Sequence, residues 1–137
     1  MLELTVGIGG FGAIGAKVAR ALDLNGLNGG MPGIKLVAIS ARDHDGARER
    51  MRDMTNPPPV VGLAELAGLA DVVVECAPAA VFAEVAEAAV EAGRIFIPLS
   101  CGALLQHPDL EGRAAETGAR IIVPTGALVG LDAVRAA

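Results

Sequence analysis

A short apolar run over residues 2–9 gives way to Gly10-Phe11-Gly12-Ala13-Ile14-Gly15, and Ile14, Val18, Ala21 and Leu22 then follow at helical spacing. A chain that passes from strand to helix through three glycines has few folds open to it. The first glycine permits a tight turn, the second keeps a Cβ away from anything that approaches the backbone, and the third lets the helix lie close on the strand. This is the G-x-G-x-x-G pattern in its proper context, apolar strand before and amphipathic helix after. An overlapping match from Gly7 to Gly12 begins inside the apolar run, so its glycines cannot occupy the strand-to-helix turn.

Downstream, the apolar period keeps switching between strand-like and helix-like spacing. Glycines and a proline at 29–33 lead into the apolar run 34–39. Residues 43–54 predict a helix with Ala47, Met51 and Met54 on one face, and the prolines at 57–59 stop it before the short strand Val60-Val61. A small turn of helix over 63–69 precedes a strand at 72–74. Val81, Val85 and Ala89 mark a helix ended by Gly93, residues 95–99 a strand, Pro108 to Gly118 another helix, and 121–123 the last strand. Strands that are apolar on both faces and alternate with helices specify a parallel sheet covered on each side. The fold class expected is α/β, a Rossmann-type doubly wound parallel sheet of about six strands.

Length and composition agree with this and narrow the function. The 137 residues suit one domain. Hydrophobic residues are 53% against 20% charged, with only three aromatics, so the core is built from Ala, Val, Leu and Ile and the chain is not disordered. A net charge of -5 and the scarcity of aromatics argue against nucleic acid. Although the mean hydropathy is +0.51, charge or glycine breaks every apolar stretch before the ~20 residues that cross a bilayer, so no membrane association is expected. Glu3 lies within the first apolar run and no basic segment precedes it, which argues against a signal peptide. Cys76 and Cys101 form no C-x-x-C pair, so no metal site is expected and a reducing, cytoplasmic setting fits.

G-x-G-x-x-G in this context predicts a dinucleotide whose pyrophosphate lies on the helix N-terminus, beside Gly10, Phe11, Gly12, Ala13 and Ile14. The end of the second strand discriminates between NAD and NADP, because an acid there holds the ribose 2′-hydroxyl and an arginine accommodates a 2′-phosphate. The segment reads Ile39-Ser40-Ala41-Arg42-Asp43, with alanine where the acid is expected. Ser40 and Arg42 are then candidates for a 2′-phosphate; the alternative is that Arg42 merely opens a charged, solvated helix. Small residues at the ends of the fourth, fifth and sixth strands, among them Ala77, Pro78, Ser100 and Ala127, line the crevice where the strand order reverses.

No catalytic pair assembles among the reactive side chains. Cys101 is either a nucleophile at a strand end or, the favoured reading, a buried structural cysteine, and Cys76 is read as structural. His44 and His107 read as surface or capping residues. Glu75 suits a base at the crevice mouth and a helix-dipole partner equally. Asp132 reads as first-turn material of a further helix.

Taken together, the glycine turn, Ala41-Arg42-Asp43, Val74-Glu75-Cys76-Ala77, Leu99-Ser100-Cys101-Gly102-Ala103-Leu104 and Gly126-Ala127-Leu128-Val129-Gly130-Leu131-Asp132-Ala133 resemble the N-terminal half of the L-aspartate dehydrogenase family. The resemblance runs across the chain. It implies oxidation of L-aspartate, or a similar dicarboxylate, to iminoaspartate by hydride transfer to NAD or NADP, an activity that also runs as reductive amination and can feed NAD biosynthesis. It implies cofactor contacts at Gly10, Gly12, Ala13, Ile14 and Ala127. It further implies a dinucleotide-binding domain over 1–127, with 128–137 beginning a crossover into a substrate domain that supplies the catalytic histidine. No catalytic residue is then expected in this chain, which would not turn over alone, and the intact enzyme is expected to be a homodimer. Two other readings stay open: a semialdehyde dehydrogenase-like enzyme using Cys101, and a non-catalytic NAD(P)-sensing module.

Overall fold

The structure, a computed structural model, describes residues 2–23 and 30–125. β1 (Leu4–Gly9) runs into α1 (Ala13–Leu22), then β2 (Ile34–Ser40) and α2 (His44–Arg50), followed by the two-residue strand β3 (Val60–Val61). A 3₁₀ turn at Leu63–Glu65 leads to α3 (Leu66–Leu69) and β4 (Val72–Glu75), and a second at Ala79–Val81 leads to α4 (Phe82–Glu91) and β5 (Ile95–Pro98). α5 (Cys101–Leu104), α6 (Asp109–Thr117) and β6 (Arg120–Ile121) complete the order. The strands form one six-stranded sheet in the order β3-β2-β1-β4-β5-β6, and every pairing is parallel. That is the doubly wound arrangement the alternating pattern predicts, with its reversal between β1 and β4.

The strands are apolar on both faces because both faces are buried. Val6, Ile8, Val72 and Val74 pack with Ala16, Ala19 and Leu22 of α1 and with Ala47, Met51 and Met54. Val73, one residue out of step, joins Leu66, Val85, Ala89 and Leu110 on the opposite face, where Phe82 meets Phe96 edge-on at 5.8 Å. β1 carries Gly7 and Gly9 toward this second face. A Cβ on Gly7 would stand 3.1 Å from Leu66 and one on Gly9 3.3 Å from Val85, so their absence lets α3 and α4 lie close to the central strand.

Several boundaries differ from the pattern. The helix expected over 43–54 ends at Arg50, because Met51 (φ -94°, ψ 4°) leaves helical geometry. The apolar face is nevertheless kept, since hydrogen-bonded turns carry Met51 and Met54 into the core. The segment beyond is held by a group the pattern does not reveal: the buried carboxylate of Asp23 accepts the backbone N–H groups of Thr55 (2.7 Å) and Asn56 (2.9 Å). The last strand is Arg120–Ile121 rather than 121–123, and α5 is a helical turn with no sequence signal of its own. α6 ends at Gly118 (φ +79°), as its sequence predicts. Ala127 and residues 128–137 lie outside the described residues. Among the described residues no helix is long and apolar enough to cross a membrane.

Candidate functional site

The carboxyl ends of β1, β2 and β4 open on a cavity of about 800 Å³, at the point where the strand order reverses. Its floor is the glycine turn. Gly10 has φ +105°, and a Cβ on it would stand 2.6 Å from the Cys76 carbonyl oxygen, so only glycine fits. The turn is stapled from both sides: the Gly10 N–H donates to the Ser40 carbonyl (3.0 Å), and the Cys76 N–H donates to the Gly9 carbonyl (2.7 Å). A Cβ on Gly15 would overlap the Gly10 carbonyl oxygen, which is how α1 comes to start so close to β1. Gly12 differs, since a Cβ there would meet nothing within 4 Å and would project into open space.

α1 begins at this open position. Its N-cap is Gly12, no side chain caps it, and no acid stands in its first turn. The first-turn N–H groups and the positive end of the helix dipole are therefore left for an anion from outside. An open glycine, uncapped N–H groups and the cavity above them form the cradle that a pyrophosphate requires, so the residues present fit a dinucleotide.

Of the residues singled out by sequence, Gly10, Phe11, Gly12, Ser40, Arg42, Ala77 and Pro78 all meet on this one cavity. Ala13 and Ile14 stand exposed on the first turn of α1, where their backbone is what they have to offer. Ser100 is placed behind the wall rather than on it, with its N–H and hydroxyl both given to Glu75. Ala127 is outside the described residues.

The reactive side chains sort differently from their sequence readings. Glu75 is neither base nor helix partner: it is fully buried and accepts three hydrogen bonds from the chain around it. Cys101, read as buried, is exposed, because it opens α5 beyond the strand instead of ending the strand within the sheet. Cys76 lines the cavity half-buried, and burial together with the neighbouring Glu75 carboxylate pushes its thiol up to about 11. His107 stacks on Phe82 at 5.5 Å, while His44 is exposed and lines the cavity beside Arg42. Neither histidine is hydrogen-bonded to Cys101 among the described residues, so the cysteine lacks an activating base. No cluster of His, Cys, Asp or Glu among the described residues suits a metal.

Arg50 is the site residue that sequence reasoning missed. It reaches the cavity from the end of α2 and lies over the Phe11 ring, 4.9 Å from the centroid. Nothing in the spacing marks it, because the contact depends on how α2 leans across the glycine turn.

Residues 10–124 match the family model described as the NAD-binding domain of homoserine dehydrogenase. L-aspartate dehydrogenase 3 of Bordetella bronchiseptica is 45% identical over 135 residues, covering 98% of this chain and 48% of the relative. L-aspartate dehydrogenase of Bradyrhizobium diazoefficiens is 43% identical over 135 residues, covering 98% and 46%. The chain thus spans about half the length of the curated relatives it matches. Among solved structures, biliverdin reductase from Synechocystis, in complex with biliverdin and NADP+, superposes with a TM-score of 0.72 at 20% identity, over 97% of this chain and 42% of that one. UDP-N-acetylglucosamine 3-dehydrogenase from Acidithiobacillus ferrooxidans gives 0.70 at 18% identity, over 99% and 43%. At such identities the likeness shows the fold.

Proposed function

The chain belongs to the family of homoserine dehydrogenase NAD-binding domains, and from that premise we propose that it is the NAD(P)-binding portion of an enzyme that oxidises L-aspartate to iminoaspartate. The observation that carries the cofactor half of this reading is the cavity at the strand-order reversal, floored by a glycine turn whose middle glycine faces open space. The substrate half rests on the L-aspartate dehydrogenases, 45%, 43% and 41% identical, that match this chain nearly end to end.

In this reading Gly10, Phe11 and Gly12, with the backbone of Ala13 and Ile14, hold the pyrophosphate. Ser40 and Arg42 face the adenosine ribose, Ala77 and Pro78 form the opposite wall, and Ser100 supports that wall through Glu75. Ala127 is assigned to the cofactor by resemblance alone. When bound, the nicotinamide supplies the hydride acceptor for the substrate Cα. This chain's residues orient it, and the catalytic proton acceptor is assigned to a substrate domain following residues 1–127, with 128–137 as the crossover. The semialdehyde dehydrogenase alternative is not favoured, since Cys101 is exposed and has no hydrogen-bonded histidine among the described residues. A purely sensing module has no observation in its favour. Two free cysteines suit the cytoplasm, and a homodimer of the intact enzyme, proposed from the resemblance, is read by sedimentation.

The test is an assay of the intact enzyme of which this chain is proposed to be the cofactor-binding portion. L-aspartate should drive reduction of NAD+ or NADP+ well above L-homoserine and L-malate. Reduction with L-homoserine and none with L-aspartate would remove the substrate assignment.

A further inference from the structure

The arginines of the described residues fall into two groups. Arg20, Arg48, Arg52, Arg94 and Arg113 each meet a carboxylate, at distances from 2.7 to 3.9 Å. Arg42, Arg50 and Arg120 have no ion pair or side-chain hydrogen bond among the described residues. Arg120 stands on β6, the far edge strand, while Arg42 and Arg50 line the same cavity. Two guanidinium groups on one concave surface thus stand without an anion from any of the described residues.

Geometry says which anion. Arg42 follows β2, where a doubly wound sheet reads the 2′-substituent of the adenosine ribose. Ala41, in the place of the usual acid, offers nothing to a ribose diol. Asp43 is already engaged, its carboxylate accepting the Gly46 N–H (3.0 Å) as the cap of α2. Glu84 lines the cavity from α4 and pairs with neither arginine. Arg50 arrives from the other end of α2. Its guanidinium lies over Phe11, itself buried at 3% exposure, so the ring is a fixed platform. Such stacking uses the π face of the guanidinium and leaves its edge N–H donors free for a phosphate.

Resting on the reading of the cavity as a dinucleotide crevice, we propose that Arg42 and Arg50 together form a 2′-phosphate subsite, which makes the site selective for NADP(H) over NAD(H). Arg42 supplies donors from the strand end and Arg50 from the stacked position over Phe11, so the terminal phosphate is held from two sides.

Calorimetric titration of the full chain with NADPH and NADH tests this. NADPH should bind at least ~10-fold more tightly, as charge-assisted hydrogen bonds to a phosphate imply. Arg50→Ala and Arg42→Ala should each weaken NADPH by about that factor, and NADH by clearly less. Equal affinity of the unsubstituted chain for the two dinucleotides, or an Arg50→Ala loss shared equally between them, would overturn the subsite alone. Binding of neither would overturn the crevice reading and the subsite with it. Should a variant fail to fold by circular dichroism, 2′,5′-ADP against 5′-AMP on the unsubstituted chain reads the same subsite: tighter 2′,5′-ADP supports it and equal binding overturns it.

Discussion

Glu75 and Ser100 are joined twice across adjacent strand ends: the Ser100 N–H donates to Oε2 at 2.9 Å and its hydroxyl to Oε1 at 3.0 Å. The Ala77 N–H donates to the same Oε1, also at 3.0 Å. Glu75 is fully buried, and its carboxylate binds the loop after β4 to the loop after β5. The first of those loops is a wall of the cavity, so a buried residue that does not line the cavity sets the wall's position.

Glu75→Gln should therefore destabilise the chain by about 2–3 kcal/mol, because the amide must turn an NH₂ toward an N–H donor whichever way it is oriented. Ser100→Ala removes one hydroxyl bond and should be milder, about 1 kcal/mol. Urea denaturation reads both, and a Glu75→Gln midpoint equal to the unsubstituted chain would rule out the clamp.

Acid should loosen the edge of β1. The Asp71 carboxylate accepts both the N–H (3.0 Å) and the hydroxyl (2.7 Å) of Thr5, and these bonds hold its carboxyl below the ordinary range. Asp53, beside Arg20, is lowered in the same direction. Each folded value lies under the unfolded one of about 4, so the stability these groups contribute is present above that pH and is lost as pH falls through the folded value. The urea midpoint should drop between about pH 5 and 3, and Asp71→Asn should flatten that drop. An unchanged profile in Asp71→Asn would clear Asp71 of the effect.

These groups also show what could be read in advance. Glycine positions, apolar runs and helix stops are local signals, so the strand order, the burial of both sheet faces and the cavity floor at Gly10 and Gly12 were legible. Asp23, Glu75 and Asp71 were not, because each bonds a backbone N–H between 25 and 66 residues away that only the fold brings near. Arg50 was missed for the same reason. Element ends shifted where the chain makes tertiary bonds, as where Arg20 donates to the Arg50 carbonyl at the end of α2 (2.7 Å) and the Arg120 N–H donates to the Arg94 carbonyl (3.1 Å).

The two cysteines should differ in reactivity. The Cys76 thiol, raised to about 11, is protonated at neutral pH, whereas Cys101 is exposed. Iodoacetamide near neutral pH should modify Cys101 first, and Cys76 should react only as pH rises toward about 11 or on unfolding. Because the folded thiol lies above the unfolded value of about 8.5, its contribution to stability is complete below that pH and fades as pH climbs through the folded value. Mass spectrometry of the alkylated chain decides it, and dominant early labelling of Cys76 would contradict the burial argument.

Gly12 and Gly15, one helical turn apart, should fail in opposite ways. On Gly15 a Cβ collides with the Gly10 carbonyl, and Gly10 cannot yield because its N–H is bonded to Ser40 and its own Cβ position faces Cys76. Gly15→Ala must then push α1 away from β1, at a loss of about 2–3 kcal/mol in a denaturant titration. On Gly12 a Cβ meets nothing within 4 Å and φ is -80°, a value alanine adopts freely. Gly12→Ala should change stability by no more than about 0.5 kcal/mol, the weaker N-cap being offset by a less flexible unfolded chain. The new methyl nevertheless occupies the space through which a pyrophosphate reaches the first turn of α1, so dinucleotide affinity should fall by about tenfold or more. Normal affinity in a stable Gly12→Ala chain would mean that the pyrophosphate does not pass over Gly12, and the cradle would have to be sought elsewhere on the cavity.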